Sequence, residues 1–114
     1  MDLFLMSSSE LETEIIQYLM NKYPIRKHWL KPGIKQVTRN WTLQDDFRFT
    51  PEDAHEFLLD VFEHFNIDYE NFDGRNYIEY EYPIWQKKPK NQEIKPLTVG
   101  MIIESAKAGR WLYD

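Results

Sequence analysis

Residues 50–65 restrict the fold of this chain more than any other segment. Thr50 is a good N-cap, Pro51 stands at the first helical position where its missing N–H costs nothing, and Glu52 and Asp53 place acid against the helix dipole. Behind them Ala54, Phe57, Leu58, Val61, Phe62 and Phe65 recur with a helical period. The segment from 51 to 65 holds no glycine, and Val61 is its only β-branched residue. Capping, propensity and period therefore agree on an amphipathic helix whose aromatic stripe requires a core to cover it. Asp60 and Glu63 fall on its exposed side, with Glu56 near the boundary.

Two further helices follow from similar signals. Ser9-Glu-Leu-Glu12 reads as a capping box, and Leu11, Ile15, Ile16, Leu19 and Met20 share a face behind it. Pro24 predicts the end of that helix, because it lacks a donor and restrains Tyr23. Near the other end, Thr98 can cap a helix carrying Val99, Ile102, Ile103 and Ala106, with Leu97 as a hydrophobic staple and Gly109 as its stop. Ser105 falls on the surface or boundary of this helix, and Trp111 and Tyr113 can fold back onto the core.

Between the first two helices, residues 25–48 have poor periodicity. Pro32-Gly33 marks a turn, and Ile25, Trp29, Leu30, Ile34, Val37, Trp41 and Leu43 pin the connection to the core. A connection longer than about 12–15 residues is unusual, which leaves room for a short strand near 34–37 or a half-turn of helix. A second would lie at 78–84, where Ile78-Glu-Tyr-Glu-Tyr82 alternates with period two. The aromatic arm over 77–85 reads as packing over the helical core, in preference to an exposed pairing edge. The expected fold class is mainly α: one domain over 1–114, a small helical bundle with a long loop after helix 1.

Charge is segmented within a net −5. Residues 22–48 carry seven bases against two acids, whereas 49–81 carry ten acids against Arg75 alone. Such a surface can steer a charged partner to one face. The chain has no cysteine, which excludes disulfides and thiol chemistry and fits a reducing, cytoplasmic compartment. No apolar run approaches the roughly 20 residues of a membrane span, and the opening residues lack the basic start of a signal peptide.

Catalytic and metal patterns are weak. His55 and Glu56 are adjacent and lack the second histidine of a zinc helix, and Asp45, Asp46, Glu52 and Asp53 match no calcium loop. Ser7, Ser8 and Ser9 are explained by capping, and no serine sits in a nucleophile elbow. The basic residues Arg26, Lys27, Lys31, Lys35 and Arg39 interleave with Trp29 and Trp41, yet no glycine-rich or RNP-like pattern accompanies them. The expectation is a non-enzyme with no metal, no cofactor, no nucleic acid and no membrane partner.

The stretch from Gln44 to Asp68 resembles the central region of acyl carrier proteins. That family has an Asp-Leu-Gly-X-Asp-Ser-Leu-Asp motif followed by an acidic recognition helix ending in Glu-X-X-Phe-X-Ile. Asp46 and Phe47 stand at its Asp-Leu, Asp53 at its later Asp, and Glu56 and Phe57 at a Glu-Leu pair within the helix. Phe65, Ile67 and Tyr69 fall on its apolar exit positions. Pro51 stands where the family carries the phosphopantetheine serine, with Thr50 one place before it. The combined pattern Thr50-Pro-Glu-Asp-Ala-His-Glu-Phe-Leu58, Phe65-Asn-Ile-Asp68 and Ala106-Lys-Ala-Gly-Arg-Trp111 also resembles an uncharacterised family of enterobacterial proteins of this chain's length, with a carrier-like core.

The resemblance implies an acyl-carrier-like fold without its cargo residue. It implies a noncatalytic domain that binds a protein with a basic surface through the acidic second helix, with Asp53, Glu56, Asp60 and Glu63 as the contact residues. A carrier with a displaced attachment residue, Thr50 or Ser105, is the alternative. A small regulator or secretion-associated factor paired with a neighbouring gene's product is a third reading. Oligomeric state is left open by the sequence.

Overall fold

A computed structural model describes residues 7–26, 33–78 and 94–114. Its three α-helices are α1 (Ser8–Lys22), α2 (Pro51–His64) and α3 (Val99–Ala108). A π-helical turn at Leu43–Phe47 and a 3-10 turn at Gly74–Asn76 complete the helical elements of the described residues. The chain is a small, mainly helical bundle with a long loop after the first helix.

Helix α1 starts earlier than the capping-box pattern predicts. Ser7, not Ser9, is the N-cap, its hydroxyl accepting from Glu10 N–H at 3.2 Å. Three consecutive serines offer equivalent caps, and starting at Ser7 adds the Leu11 N–H to Ser7 carbonyl bond of the first turn. Leu11, Ile15 and Leu19 are buried, Ile16 and Met20 pack more shallowly, and Tyr23 ends the helix before Pro24. Helix α2 has its predicted cap, with the Thr50 hydroxyl accepting from Asp53 N–H at 3.2 Å and Pro51 at its start. Its stripe of Ala54, Phe57, Leu58, Val61 and Phe62 is buried, and Phe65 and Ile67 continue the core past its end.

Helix α3 packs against α1. Thr98 caps it, and Gly109 ends it with a φ of 78°, a backbone conformation that favours glycine. Ser105 departs from the surface or boundary position expected of it: it is fully buried on α3, and its hydroxyl accepts from Leu112 N–H at 3.3 Å. The returning tail explains this. Trp111 folds onto Phe62, Phe72 and Tyr77, carrying Leu112 back over the α3 face. Among the described residues no acceptor lies within hydrogen-bond geometry of the buried Trp111 indole N–H, and the Tyr77 ring stands beside it.

Over its described residues the long connection is pinned by backbone bonds and not by strands. Trp41 and Arg39 carbonyls accept from Val99 and Gly100 N–H at 2.9 and 2.8 Å, and Leu43 N–H donates to Leu97. Gln44 adds a side-chain tie to the Tyr77 carbonyl at 2.7 Å. Arg39 then joins α1 to α3, pairing with Glu12 at 3.0 Å and Glu104 at 2.8 Å. Among the described residues there is no sheet, only isolated bridges between Arg26 and Ile34, Thr42 and Thr98, and Asp68 and Arg110. The strand expected near 34–37 is thus reduced to one bridge, because the connection bonds to the start of α3 instead of to a partner strand. The second expected strand, at 78–84, lies outside the described residues apart from Ile78, which is buried with Tyr77.

Candidate functional site

The solvent face of α2 is built by the same period that buries its aromatic side. Glu52, Glu56, Leu59 and Glu63 follow one another at intervals of three and four, so they form a continuous stripe. Glu52, Asp53, Glu56 and Glu63 are all exposed. Among the described residues their carboxylates enter no hydrogen bond or ion pair, which leaves four negative charges presented to water from a rigid element.

Asp60 is placed differently. The helical period puts it on the exposed side, but its side chain is only 26% exposed. One oxygen accepts from Lys22 Nζ at 2.8 Å, and the other accepts from the Tyr18 and Tyr23 hydroxyls at 2.8 and 2.6 Å. Burial alone would raise this carboxyl, but the bonds from Lys22, Tyr23 and Tyr18 together hold it below its ordinary range. Burial and the Asp60 bond push both phenols up, and Lys22, bonded to Asp60 and to Tyr18, is held protonated. Asp60 therefore joins α2 to the end of α1, and its charge is answered within the chain.

Leu59 is the residue that helical patterning misses. It is half-buried, yet among the described residues it stands outside both the core and the side chains packed against that core. His55, Glu56 and Glu63 are its neighbours at i−4, i−3 and i+4. A leucine on the polar side of an otherwise clean amphipathic helix is the sequence signal for it. An apolar centre with a charged rim is the usual anatomy of a protein contact surface.

The hydroxyls considered for cargo attachment are separated by the fold. Pro51 occupies the first helical position and has none. Thr50 is exposed, with its oxygen engaged by Asp53 N–H. Ser105 is sealed in the core. Among the described residues, no group of three or more His, Asp or Glu side chains could hold a metal ion. Nor is any described helix long and apolar enough to cross a membrane.

Residues 8–114 match a family described as "Protein of unknown function (DUF1493)". The chain belongs to the DUF1493 family. The match covers all three helices and the connections between them, so the α2 face lies inside the DUF1493 region and not on an appendage. No curated protein and no solved structure matches the chain.

Proposed function

We propose that this DUF1493 chain is a noncatalytic, cytoplasmic protein-binding domain of acyl-carrier-like build, which docks a basic protein surface on the exposed face of α2. The observation that carries this reading is the stripe Glu52, Glu56, Leu59 and Glu63, with Asp53 beside it: carboxylates unanswered among the described residues, around an apolar side chain outside the described core. Charge complementarity of this kind speeds encounter and selects partners, while an apolar anchor retains them. Of the four acids expected from sequence, Asp53, Glu56 and Glu63 remain contact residues. Asp60 becomes the brace that holds the helix.

The carrier-like part of the reading draws support from the backbone before α2. Arg48 falls at the glycine of the carrier motif and adopts a left-handed conformation with φ of 56°, rare for a side-chain-bearing residue. Asp46, at the motif's first acid, accepts from Thr42 N–H at 2.8 Å and so steadies the turn that feeds the helix. The alternative, a carrier with a displaced attachment residue, rests on Thr50, because Ser105 is enclosed.

Immobilised chain offered a bacterial cytoplasm should retain partners that Glu56→Lys/Glu63→Lys and Leu59→Ala variants lose. Retention of the same partners by all variants would overturn the α2 face. Intact mass after treatment with a phosphopantetheinyl transferase and coenzyme A should stay unchanged, and a gain of one arm would restore the carrier reading.

A further inference from the structure

A second exposed apolar residue stands in a charged setting of the opposite sign. Ile34 is 44% exposed, among the most exposed large hydrophobic side chains described. The bridge between Arg26 and Ile34, with Lys35 N–H donating to the Ile25 carbonyl at 2.7 Å, forms a small antiparallel corner after α1. Arg26 and Lys35 are exposed on that corner, and among the described residues their side chains enter no ion pair with a carboxylate. The corner lies in the basic block of the sequence, and α2 lies in the acidic one. The same chain therefore presents an aliphatic side chain rimmed by cations and another rimmed by anions.

We propose that the chain associates with itself head to tail, the Arg26–Ile34–Lys35 corner of one copy seating on the Glu56–Leu59–Glu63 face of α2 in the next. This rests on the reading of α2 as a docking face and names a second copy as its occupant. The argument is complementarity: each surface supplies what the other lacks in charge, and each offers an aliphatic side chain that stands outside the core of the described residues. The two surfaces differ, so the contact is heterologous; it propagates along a row of copies or closes into a ring, according to the rotation it imposes. Few residues are involved, so the contact is weak, reversible and concentration dependent, unlike an obligate interface. Charges at its rim act over about 10 Å at 0.1 M salt, so association weakens as ionic strength rises.

Sedimentation velocity on the full chain, over a concentration series at low and high sodium chloride, tests this. The expected result is a sedimentation coefficient that rises with concentration at low salt and falls back toward the monomer at high salt. Glu56→Lys/Glu63→Lys and Arg26→Glu/Lys35→Glu should each remain monomeric alone and associate when mixed, since each then supplies the surface complementary to the other's. Circular dichroism on each variant shows whether its helices persist, and Leu59→Ala and Ile34→Ala give a second pair without charge reversal.

A wild-type chain that stays monomeric at every concentration overturns the self-association. In that case, polylysine binding that survives in wild type and is lost in Glu56→Lys/Glu63→Lys would leave the α2 docking face standing with another occupant. Self-association that persists unchanged in the α2 variants would overturn both the proposed contact and the role of that face in it.

Discussion

The Tyr23 hydroxyl donates to the Asp60 carboxylate across 2.6 Å, so the residue that ends α1 is bonded to the third turn of α2. Tyr18, one helical turn and a residue earlier, reaches the same carboxylate and stacks its ring on His64 at 4.1 Å between centroids. Two helices separated by the long connection are thereby held at one charged point. Loss of that point should be felt more than loss of an ordinary surface acid.

Asp60→Ala should lower stability by about 1–2 kcal/mol, less than the full value of its charge-assisted bonds because the partners regain water. Chemical denaturation checks this. The pH dependence has a defined sign: the folded-state carboxyl titrates below its ordinary value of 3.8. Its contribution is therefore complete above that value and is lost as pH falls through the lower folded-state value. The stability gap between wild type and Asp60→Asn should be constant near neutrality and shrink in acid. A gap that grows in acid would contradict the assignment.

Leu59 and Phe62 lie three residues apart on α2, one half-buried and the other fully buried. Phe62→Ala removes a fully buried ring and should cost about 3–5 kcal/mol. Leu59→Ala, outside the core of the described residues, should cost about 0.5–1 kcal/mol. Thermal unfolding of the two variants distinguishes a helix with a spare apolar face from one buried on both sides.

Ser105→Ala should destabilise by about 1–2 kcal/mol, because Leu112 N–H loses its acceptor in the interior. Hydrogen exchange should rise first at Leu112 and its neighbours. A variant as stable as wild type would show that the tail does not depend on this bond.

Gly109→Ala tests the stop of α3 without a steric complication, since an added Cβ there would meet no atom within 4 Å. The cost should be that of a left-handed backbone alone, about 1–2 kcal/mol. Gly109→Asn should lose less, because asparagine tolerates that conformation. Denaturant midpoints of the pair give the comparison.

Charge reversal on α2 should leave folding intact and alter recognition. Glu56→Lys/Glu63→Lys removes no interaction among the described residues, so unfolding should shift by no more than about 0.5 kcal/mol. Retention of basic proteins on the immobilised chain should fall, and the loss should be greatest at low salt. Equal retention by the variant and wild type would sink the prediction.

The three helices were legible because each is specified locally. A capping side chain, a stripe at helical spacing and a stop residue act within a few residues of one another, and at 50–65 all three coincide. Even there the boundary of α1 moved, since equivalent serines compete for one cap and only the hydrogen bonds of the first turn decide between them. Ser105 was misplaced because its burial comes from Trp111 and Leu112 folding back over α3, a contact that helical spacing cannot contain.

The acidic face shows the division most clearly. Sequence alone determined that α2 is a capped helix with an aromatic side and an acidic side, because periodicity and propensity are properties of neighbouring residues. Only the tertiary structure decided which of those acids stay exposed and which is tied to α1. Asp60 and Glu63 look alike on a helical wheel, but α1 delivers Tyr18, Lys22 and Tyr23 to Asp60 from some 40 positions away. The charge that remains outward is what long-range packing leaves unanswered.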